Sequence, residues 1–436
     1  MFTRILIANR GEIAIRIIRA CKEMGIFTIA VYSEADRESL HVALADLAIC
    51  IGRAPACDSY LDKKRIISAA LATKAEAIHP GYGFLSENAD FARLCERHGI
   101  AFIGPSSDTI AKMGDKDTAR RLMKESGVPT TPGSDILTDY REALAAAEKI
   151  GYPVLLKASA GGGGKGIRLV SDQSQMEREF KTASGEAEKA FGDGRMYLEK
   201  FLSPVKHIEV QLLADEKGNI VCLGERECSI QKNNQKLIEE SPSPAIVPEM
   251  RAQLMEIAAR AARAVRYVNA GTIEFLMDTE GRFYFMEMNT RLQVEHPVTE
   301  LVTGVDIVKW QIRIAAGVPL DFTQEDIRVE GAAIECRINA LGAGKVNFFI
   351  MPGGPGVRFD TFLYQGYEVP PYYDSMLGKL IVYSSTREEA IRKMQSALCE
   401  LVIDGTQNNI ESQIAIVRDP GFKAGRYFTD FMKNRS

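Results

Sequence analysis

The chain has 436 residues, of which 46% are hydrophobic and 26% are charged, and its net charge is -4. This length exceeds a single hydrophobic core, so we expect two or three domains, and the charge excludes a strongly basic surface for nucleic acid or anionic membranes. The eight cysteines form no CxxC pair and there are five histidines, which argues against a zinc site or a disulfide framework. Without a signal peptide or a run of 18 apolar residues, the chain is expected to be cytoplasmic.

The N-terminal residues predict a strand, a turn, a helix and a second strand, in the sequence RILIANRGEIAIRIIRACKEMGIFTIAVYSEAD. This order is typical of an α/β unit with parallel strands. The turn lacks GxGxxG, so dinucleotide binding is not predicted. A later strand, AEAIHP, runs into the glycine-rich residues 81–88, where Ser86 is predicted to cap the next helix. Such a loop at the carboxyl end of a strand favours ligand binding, with a plain turn as the alternative.

Residues 105–135 predict two helices and a Pro/Gly linker, so a new unit is expected to start near Lys116. Next come a strand, PVLLKA, four consecutive glycines at 161–164, and a second strand, GIRLV. A P-loop would need Ser or Thr after Gly-Lys and then a helix, whereas here a glycine, an isoleucine and a strand follow. We therefore predict a flexible glycine-rich hairpin tip over phosphates, with Lys157 as a point charge, rather than a disordered loop without a ligand.

Two polar segments follow the glycine-rich loop. Residues 199–202 end a strand before Pro204, where a hinge backbone can hydrogen-bond an adenine edge. Gln231, Asn234 and Lys236 lie together in a polar stretch whose default interpretation is a solvated loop.

The sequence GTIEFLMDTEGRFYFMEMN predicts a β-hairpin whose loop is the four residues 278–281. With that loop Met277 pairs with Arg282, and Glu287 lies diagonal to Glu274 at about 7–8 Å between backbones. Two facing carboxylates repel unless a cation lies between them, and Asn289 is one step further along. Oxygen ligands of this kind suit Mg²⁺ or Mn²⁺.

Residues 283–295 alternate with period two, which predicts that their polar side chains line one face of an extended segment. The alternative is an ordinary solvated strand. A fully extended segment from Glu287 to Glu295 spans about 26 Å at roughly 3.3 Å per residue. Glu295 therefore cannot share the metal unless the chain curls, and we assign it a different role. After residue 330 the chain predicts a third unit of strands with an amphipathic helix over 386–402.

The ordered motifs ANRGEIAIR, HPGYGFLSEN, MGDK, LLKASAGGGGKG, EKFLSPVKHIEVQ, ERECSIQKNNQK, EMNTRLQVEHPVTE, ECRINA and PPYYDSMLGKL resemble those of the biotin carboxylases, which are ATP-grasp ligases. The resemblance covers nearly the whole chain and is strongest to the stand-alone subunit of bacterial acetyl-CoA carboxylase. It implies an α/β (α+β) fold in three parts. These are a Rossmann-like N-terminal domain over 1–113, an ATP-grasp domain over 114–329 with a mobile lid at about 130–203, and a C-terminal domain over 330–436.

In this family ATP phosphorylates bicarbonate, and the resulting carboxyphosphate gives the carbon dioxide that carboxylates a ureido nitrogen of biotin. The resemblance implies that ATP is held by Lys116, Lys157, Gly161, Gly162, Gly163, Gly164, Gly166, Glu199, Lys200, Leu202, His207, Gln231 and Asn234. It implies two Mg²⁺ or Mn²⁺ ions on Glu274, Glu287 and Asn289, of which both glutamates also contact ATP. It implies bicarbonate on Lys236, Arg291, Gln293, Val294 and Glu295. Glu295 is the implied general base, Arg337 the implied stabiliser of the biotin enolate, and Tyr82 an implied neighbour of biotin.

The sequence departs from the family pattern at two places. Asn234 stands where some members have histidine beside the ribose, and the segment 341–354 is shorter than usual. There is no Met-Lys-Met attachment site, so biotin is expected on a separate carrier protein that also serves carboxyltransferase subunits. A homodimer is a further family expectation.

Two other functions are weighed against this one. The first is another ATP-grasp ligase, such as the carboxyphosphate-forming half of carbamoyl phosphate synthetase, against which HPGYGFLSEN and ECRINA argue. The second is a non-catalytic ATP-binding regulatory module, which predicts degenerate metal ligands. The final carboxyl acceptor, in acetyl-CoA carboxylase or in a pyruvate or other acyl-CoA carboxylase, depends on the partner carboxyltransferase.

Overall fold

A computed structural model describes residues 1–159 and 166–433 of the chain. The described residues form a five-stranded, a three-stranded and an eight-stranded sheet, together with two sheets of two short strands. None of the helices in these ranges has the length and apolar content that a membrane span requires.

The first unit is a parallel sheet of order β3-β2-β1-β4-β5 with helices packed on it. Its strands are β1 (Arg4–Ile7), β2 (Phe27–Ser33), β3 (Leu47–Gly52), β4 (Ala77–His79) and β5 (Ala101–Phe102). Its helices are α1 (Gly11–Glu23), α2 (Leu40–Leu44), α3 (Lys63–Ala72), α4 (Ala89–Arg97) and α5 (Ser107–Gly114). The predicted strand–turn–helix–strand start is confirmed. Because β1 and β4 are neighbours, the turn after β1 and the loop carrying Tyr82 meet at one edge.

The helix after the glycine-rich loop at 81–88 is capped by a different residue from the one predicted. The side chain of Asn88 accepts a hydrogen bond from the N–H of Phe91 at 2.9 Å, and α4 begins at Ala89. Ser86 is buried, and its Oγ has no partner among the described residues. The prediction of Ser86 as the cap is therefore wrong, because Asn88 directly precedes the helix and reaches its free N–H groups.

Helix α6 (Lys116–Glu125) follows and starts the part of the chain that we describe as the second unit, which then continues into a small antiparallel sheet of order β7-β6-β8. That sheet consists of β6 (Val154–Ala158), β7 (Ile167–Val170) and β8 (Met196–Lys200), with α7 (Tyr140–Ile150) and α8 (Met176–Phe191) packed on it. It has its own core, which includes Leu156, Ala183 and Leu198. The predicted glycine-rich tip, residues 161–164, lies outside the described residues.

The eight-stranded sheet has the order β13-β12-β9-β10-β11-β14-β19-β17. It contains strands of both the second and the third unit. Its strands in the second unit are β9 (Lys206–Ala214), β10 (Ile220–Lys232), β11 (Gln235–Ser241), β12 (Asn269–Met277) and β13 (Phe283–Asn289). The accompanying helices are α9 (Pro248–Ala264), α10 (His296–Thr303) and α11 (Ile307–Ala315). Alternate residues of β9, such as Ile208 and Val210, pack with α9 residues in one core. The intervening residues of β9 therefore face the opposite side, where α10 packs.

The third unit completes the same sheet, since β14 pairs with β11. Its strands are β14 (Ala332–Asn339), β15 (Gly344–Lys345), β16 (Phe348–Ile350), β17 (Val357–Thr361), β18 (Glu368–Val369), β19 (Met376–Ser384) and β20 (Val402–Asp404). Its helices are α12 (Arg387–Glu400), α13 (Ile410–Arg418) and α14 (Pro420–Lys423). The predicted helix over 386–402 is confirmed except at its end. Helix α12 stops at Glu400, and Val402 instead starts β20, which pairs with β16.

Candidate active site

The register of the hairpin formed by β12 and β13 differs from the predicted one. Met277 pairs with Phe283, so the loop has five residues, 278–282, and Met286 is an extra residue that bulges from β13. The bulge places Glu287 directly opposite Glu274 instead of diagonal to it. It also breaks the predicted single parity of the segment, since Phe283 and Phe285 face the apolar core together with Met288.

A row of charged side chains crosses four neighbouring strands at one level of the sheet. Glu287 on β13 pairs with Glu274 on β12, Glu274 pairs with Glu209 on β9, and Glu209 pairs with Arg226 on β10. Arg226 is fully buried and donates to Glu209 at 3.1 Å. Three carboxylates face one guanidinium in this row, so the row needs further positive charge to be stable.

Lys236 supplies part of that charge and links the two ends of the site. Its Nζ donates to Glu209, to Glu274 at 2.9 Å and to Glu295 at 2.8 Å. Burial opposes the charge on this amine, but the charges of Glu274 and Glu295 raise the pKa of Lys236 above its ordinary value. The stretch that had a solvated loop as its default interpretation therefore holds a half-buried ammonium bound by three carboxylates, whereas Asn234 lies in its exposed turn with φ 62°.

The chain curls between β13 and α10, which brings Glu295 back beside Glu274. Strand β13 ends at Asn289, and Glu295 occupies the N-cap position of α10. One ammonium can therefore contact both carboxylates, although an extended segment would separate Glu295 from Glu287 by about 26 Å. We predicted that Glu295 could approach the metal end only if the chain after β13 left the extended conformation, and the structure confirms that it does.

Arg337 is held against Glu295 from the neighbouring part of the sheet. Its guanidinium donates to Glu239 at 2.6 Å and to Glu295 at 2.9 Å. Burial raises the pKa of Glu295, but the charges of Lys236 and Arg337 outweigh it and hold that pKa well below its ordinary value. Glu295 is therefore an ionised, fully buried carboxylate between two cations.

Arg291 and Gln293 occupy the curled segment and are fixed by short polar contacts. Arg291 donates to Glu87 at 2.8 Å, to Gln293 at 2.9 Å and to Asn289 at 3.0 Å. The amide of Gln293 donates to Glu274 at 2.9 Å. A guanidinium fixed in this way presents a rigid fork that suits a planar anion.

The residues predicted to bind metal form an oxygen-rich group that fits a hard divalent cation. Glu274 accepts from Asn289 at 2.8 Å, and the Nε2 of His207 lies 3.0 Å from its other oxygen. Burial raises the pKa of Glu274, but Lys236 and His207 outweigh it and hold that pKa well below its ordinary value. Burial and the neighbouring Glu274 raise the pKa of Glu287. Within residues 1–159 and 166–433 the side chain of Glu287 makes no hydrogen bond or ion pair, so its oxygens are available to a cation.

The predicted ATP residues lie on the side of the site next to the small sheet. Lys157 donates to Glu199 at 2.5 Å. Partial burial lowers the pKa of Lys116, and the charges of Glu287 and Glu199 only partly offset this effect. Gln231 contacts His207 at 2.7 Å. The ammonium of Lys200 donates to the carbonyls of residues 151 and 152, and the side chain of Leu202 is half-buried. Gly166 adopts φ 75° and is the one member of the predicted glycine set within the described residues.

Tyr82 lies on the opposite side of the site, where the first and third units meet. Its hydroxyl donates to Glu12, and it lines a cleft of about 260 Å³ together with Phe84, Tyr373 and Asp374. Arg10 and Glu12 also line this cleft.

Sequence reasoning missed three site residues, namely Glu209, Arg226 and Glu239. All three are buried charged residues within strands. For Glu209 a signal was present, because His207, Glu209 and Gln211 alternate along β9 with the same parity. Arg226 and Glu239 sit in segments without such alternation, and only the pairing of distant strands places them at the site.

Three family models together match almost the whole chain. They are "Biotin carboxylase, N-terminal domain" over residues 1–110, "Carbamoyl-phosphate synthase L chain, ATP binding domain" over 115–323, and "Biotin carboxylase C-terminal domain" over 335–434. Biotin carboxylase 1 of Bacillus subtilis is 52% identical, over 99% of this chain and 98% of its own length.

Two solved structures share the fold over the whole chain. The biotin carboxylase of Campylobacter jejuni, in a complex named as β-γ-ATP, matches with a TM-score of 0.97 and 47% identity over 100% of this chain and 99% of its own. The biotin carboxylase domain dimer of Hydrogenobacter thermophilus 2-oxoglutarate carboxylase, with MgADP, ADP and bicarbonate, matches with a TM-score of 0.96 and 51% identity over 100% and 98%. The chain therefore belongs to the biotin carboxylase family and is an ATP-dependent ligase with an ATP-grasp fold.

Proposed function

We propose that this chain carboxylates biotin on a separate carrier protein, using ATP and bicarbonate, and that both half-reactions meet at Glu295. The observation that carries the proposal is the bridge made by Lys236, whose ammonium contacts Glu274 at the metal end and Glu295 at the anion end. An arrangement in which one cation serves both ends suits the transfer of a phosphoryl group to a bound anion.

Bicarbonate is assigned to the curled segment and to Lys236. Arg291 offers the bidentate fork, Gln293 an amide, and Val294 its backbone. Glu295 accepts the proton of bicarbonate, which makes the anion a better nucleophile. When Lys236 turns towards the substrate anion, Glu295 loses the charge that lowers its pKa most, and its strength as a base rises.

ATP and the metal ions are assigned to the other end of the site. Phosphates or ribose are bound by Lys116, Lys157, His207 and the glycine-rich tip, with Gln231 and Asn234 beside the ribose. The hinge at 199–202 binds adenine. Glu274, Glu287 and Asn289 hold Mg²⁺ or Mn²⁺, which neutralises phosphate charge when bound. Residues 130–203 act as a lid over ATP within an ATP-grasp domain of 114–329. The N-terminal domain of 1–113 and the C-terminal domain of 330–436 flank it.

Biotin is assigned to Arg337 and to the cleft at Tyr82. Arg337 stabilises the negative charge that develops on the ureido oxygen of biotin, because its guanidinium is already fixed by Glu239.

We further propose a cytoplasmic homodimer that works with a biotin carboxyl carrier protein and carboxyltransferase subunits. The proposed acceptor is acetyl-CoA, which gives malonyl-CoA for fatty acid synthesis. A 2-oxo acid is the second candidate, because the H. thermophilus relative belongs to a 2-oxoglutarate carboxylase.

The proposed function predicts ADP release that requires bicarbonate and Mg²⁺ and is stimulated by free biotin. A coupled ADP assay measures this, with ammonia in place of biotin as the control for the carbamoyl phosphate alternative. ATP binding without bicarbonate-dependent turnover would contradict the proposal, and stimulation by ammonia would favour the alternative ligase.

A further inference from the structure

Lys379 is a fully buried lysine at the point where all three units meet. It lies on β19, and none of its side chain is exposed. Taking an ammonium out of water is unfavourable unless its charge is compensated, so the contacts of a fully buried lysine show what its charge stabilises. None of the roles derived above for the reaction involves this residue.

The contacts of Lys379 reach one element from each of the other two units. Its Nζ donates to the carbonyl of Val294 at 2.5 Å, and it lies 3.3 Å from the carboxylate of Glu12 on α1. The same oxygen of Glu12 accepts the hydroxyl of Tyr82, whose ring centre is 5.8 Å from the ammonium. The other oxygen of Glu12 is buried and has no hydrogen-bond partner among the described residues.

The bond to Val294 acts on the peptide that leads into Glu295. Valine has no polar side chain, so the place of Val294 in the bicarbonate set depends on its backbone. The peptide group is planar, so fixing the carbonyl of Val294 also fixes the orientation of the N–H of Glu295 and the direction of its Cα. The stretch between the end of β13 at Asn289 and the start of α10 at His296 has no regular backbone pairing, so its conformation depends on contacts such as this one.

We propose that Lys379 is a positioning residue for bicarbonate, which holds the Val294–Glu295 peptide in place and couples it to Glu12 and Tyr82 of the first unit. The inference rests on the proposed function, because it takes residues 291–295 as the bicarbonate site. A charged donor is needed for this task because it must bind the carbonyl of Val294 and the carboxylate of Glu12 at the same time, which an apolar residue of the same length cannot do.

The test compares Lys379→Met with the wild-type full-length protein in steady-state ADP release, varying bicarbonate and ATP separately. We expect KM for bicarbonate to rise by about ten-fold or more, because small displacements of positioning groups have effects of that order. KM for ATP should stay unchanged. A merely structural role would lower the active fraction and leave both KM values as they are.

Two further variants separate positioning from stability. Glu12→Gln/Lys379→Met removes both buried charges, so it should recover the thermal stability that Lys379→Met loses but not the bicarbonate KM. Lys393→Met is the matched control. Lys393 donates to the carbonyl of Tyr383 at 2.6 Å near the other end of β19, so its loss should leave the bicarbonate KM unchanged.

Each outcome is decisive. An unchanged bicarbonate KM in Lys379→Met, or its recovery in the double variant, would overturn the positioning role and leave Lys379 as a counter-ion of Glu12. If Lys379→Met does not fold, the KM for bicarbonate of the double variant alone decides whether Lys379 has a positioning role. Wild-type protein without bicarbonate-dependent turnover would instead contradict the proposed function, so the two failures are distinguishable.

Discussion

Replacing Glu295 with glutamine is expected to abolish carboxylation while leaving the affinity for ATP close to that of the wild-type protein. Glutamine keeps the shape of the side chain and an oxygen that accepts from Lys236, but it cannot take up the proton of bicarbonate. A positioned general base contributes a factor of about 10²–10⁴ in rate, so kcat should fall by that much. The measurements are bicarbonate-dependent ADP release and the Kd of ATP by calorimetry.

Glu240→Gln is the matched control for this variant. Glu240 is another buried glutamate, and it accepts from Arg387 at 2.5 Å on a part of the sheet outside the site. Its replacement should lower stability and leave kcat unchanged. A loss of ATP affinity in Glu295→Gln would refute its assignment as the base, because it would place Glu295 in the nucleotide site.

The second large effect is expected for Arg337→Met, which should uncouple ATP cleavage from carboxylation. Arg337 is the residue assigned to biotin, and Lys236 still contacts Glu295 when Arg337 is replaced, so ADP release that depends on bicarbonate but not on biotin should persist. Formation of carboxybiotin should fall by about 10²–10³, the usual effect of removing one donor that stabilises a developing negative charge. Parallel assays of ADP and of acid-labile carboxybiotin measure the two steps separately.

A double variant distinguishes this effect from a loss of folding. Arg337→Met leaves Glu239 buried without its partner, which costs about 3–5 kcal/mol for a broken buried pair. Adding Glu239→Gln removes the unpaired charge, so the double variant should regain stability and still lack carboxybiotin. Equal losses of ADP release and carboxybiotin in Arg337→Met would contradict its restriction to the biotin step.

Much of the fold follows from local patterns that the sequence shows directly. The isoleucines of α1, the strand pair around the glycine-rich tip and the capped helices at 107–125 lie where their spacing predicts. The polar alternation of 287–295 led to the prediction that metal and anion chemistry share one segment, and the structure brings Glu295 and Glu274 onto the same ammonium of Lys236. The family resemblance supplied the identities of the substrates, which the alternation alone does not contain.

The remaining features depend on pairings that no local pattern encodes. An inserted residue such as Met286 changes which side chains face each other, and the alternation of FYFMEMN gives no sign of it. The turn of the chain after Asn289 is stabilised by Lys236, Glu87 and Lys379, which are distant in sequence. The positions of Glu209 and Arg226 likewise could not be predicted, because their burial depends on the pairing of four strands.

The most direct test of the central claim, that this site phosphorylates bicarbonate, follows oxygen from substrate to product. Bicarbonate labelled with ¹⁸O is given to the wild-type protein with ATP, Mg²⁺ and biotin in a short incubation, and the released phosphate is analysed by mass spectrometry. If bicarbonate attacks the terminal phosphorus of ATP, the phosphate carries an oxygen from bicarbonate. Phosphate that carries oxygen only from ATP and water would show that the site hydrolyses ATP without activating bicarbonate, and would contradict the account.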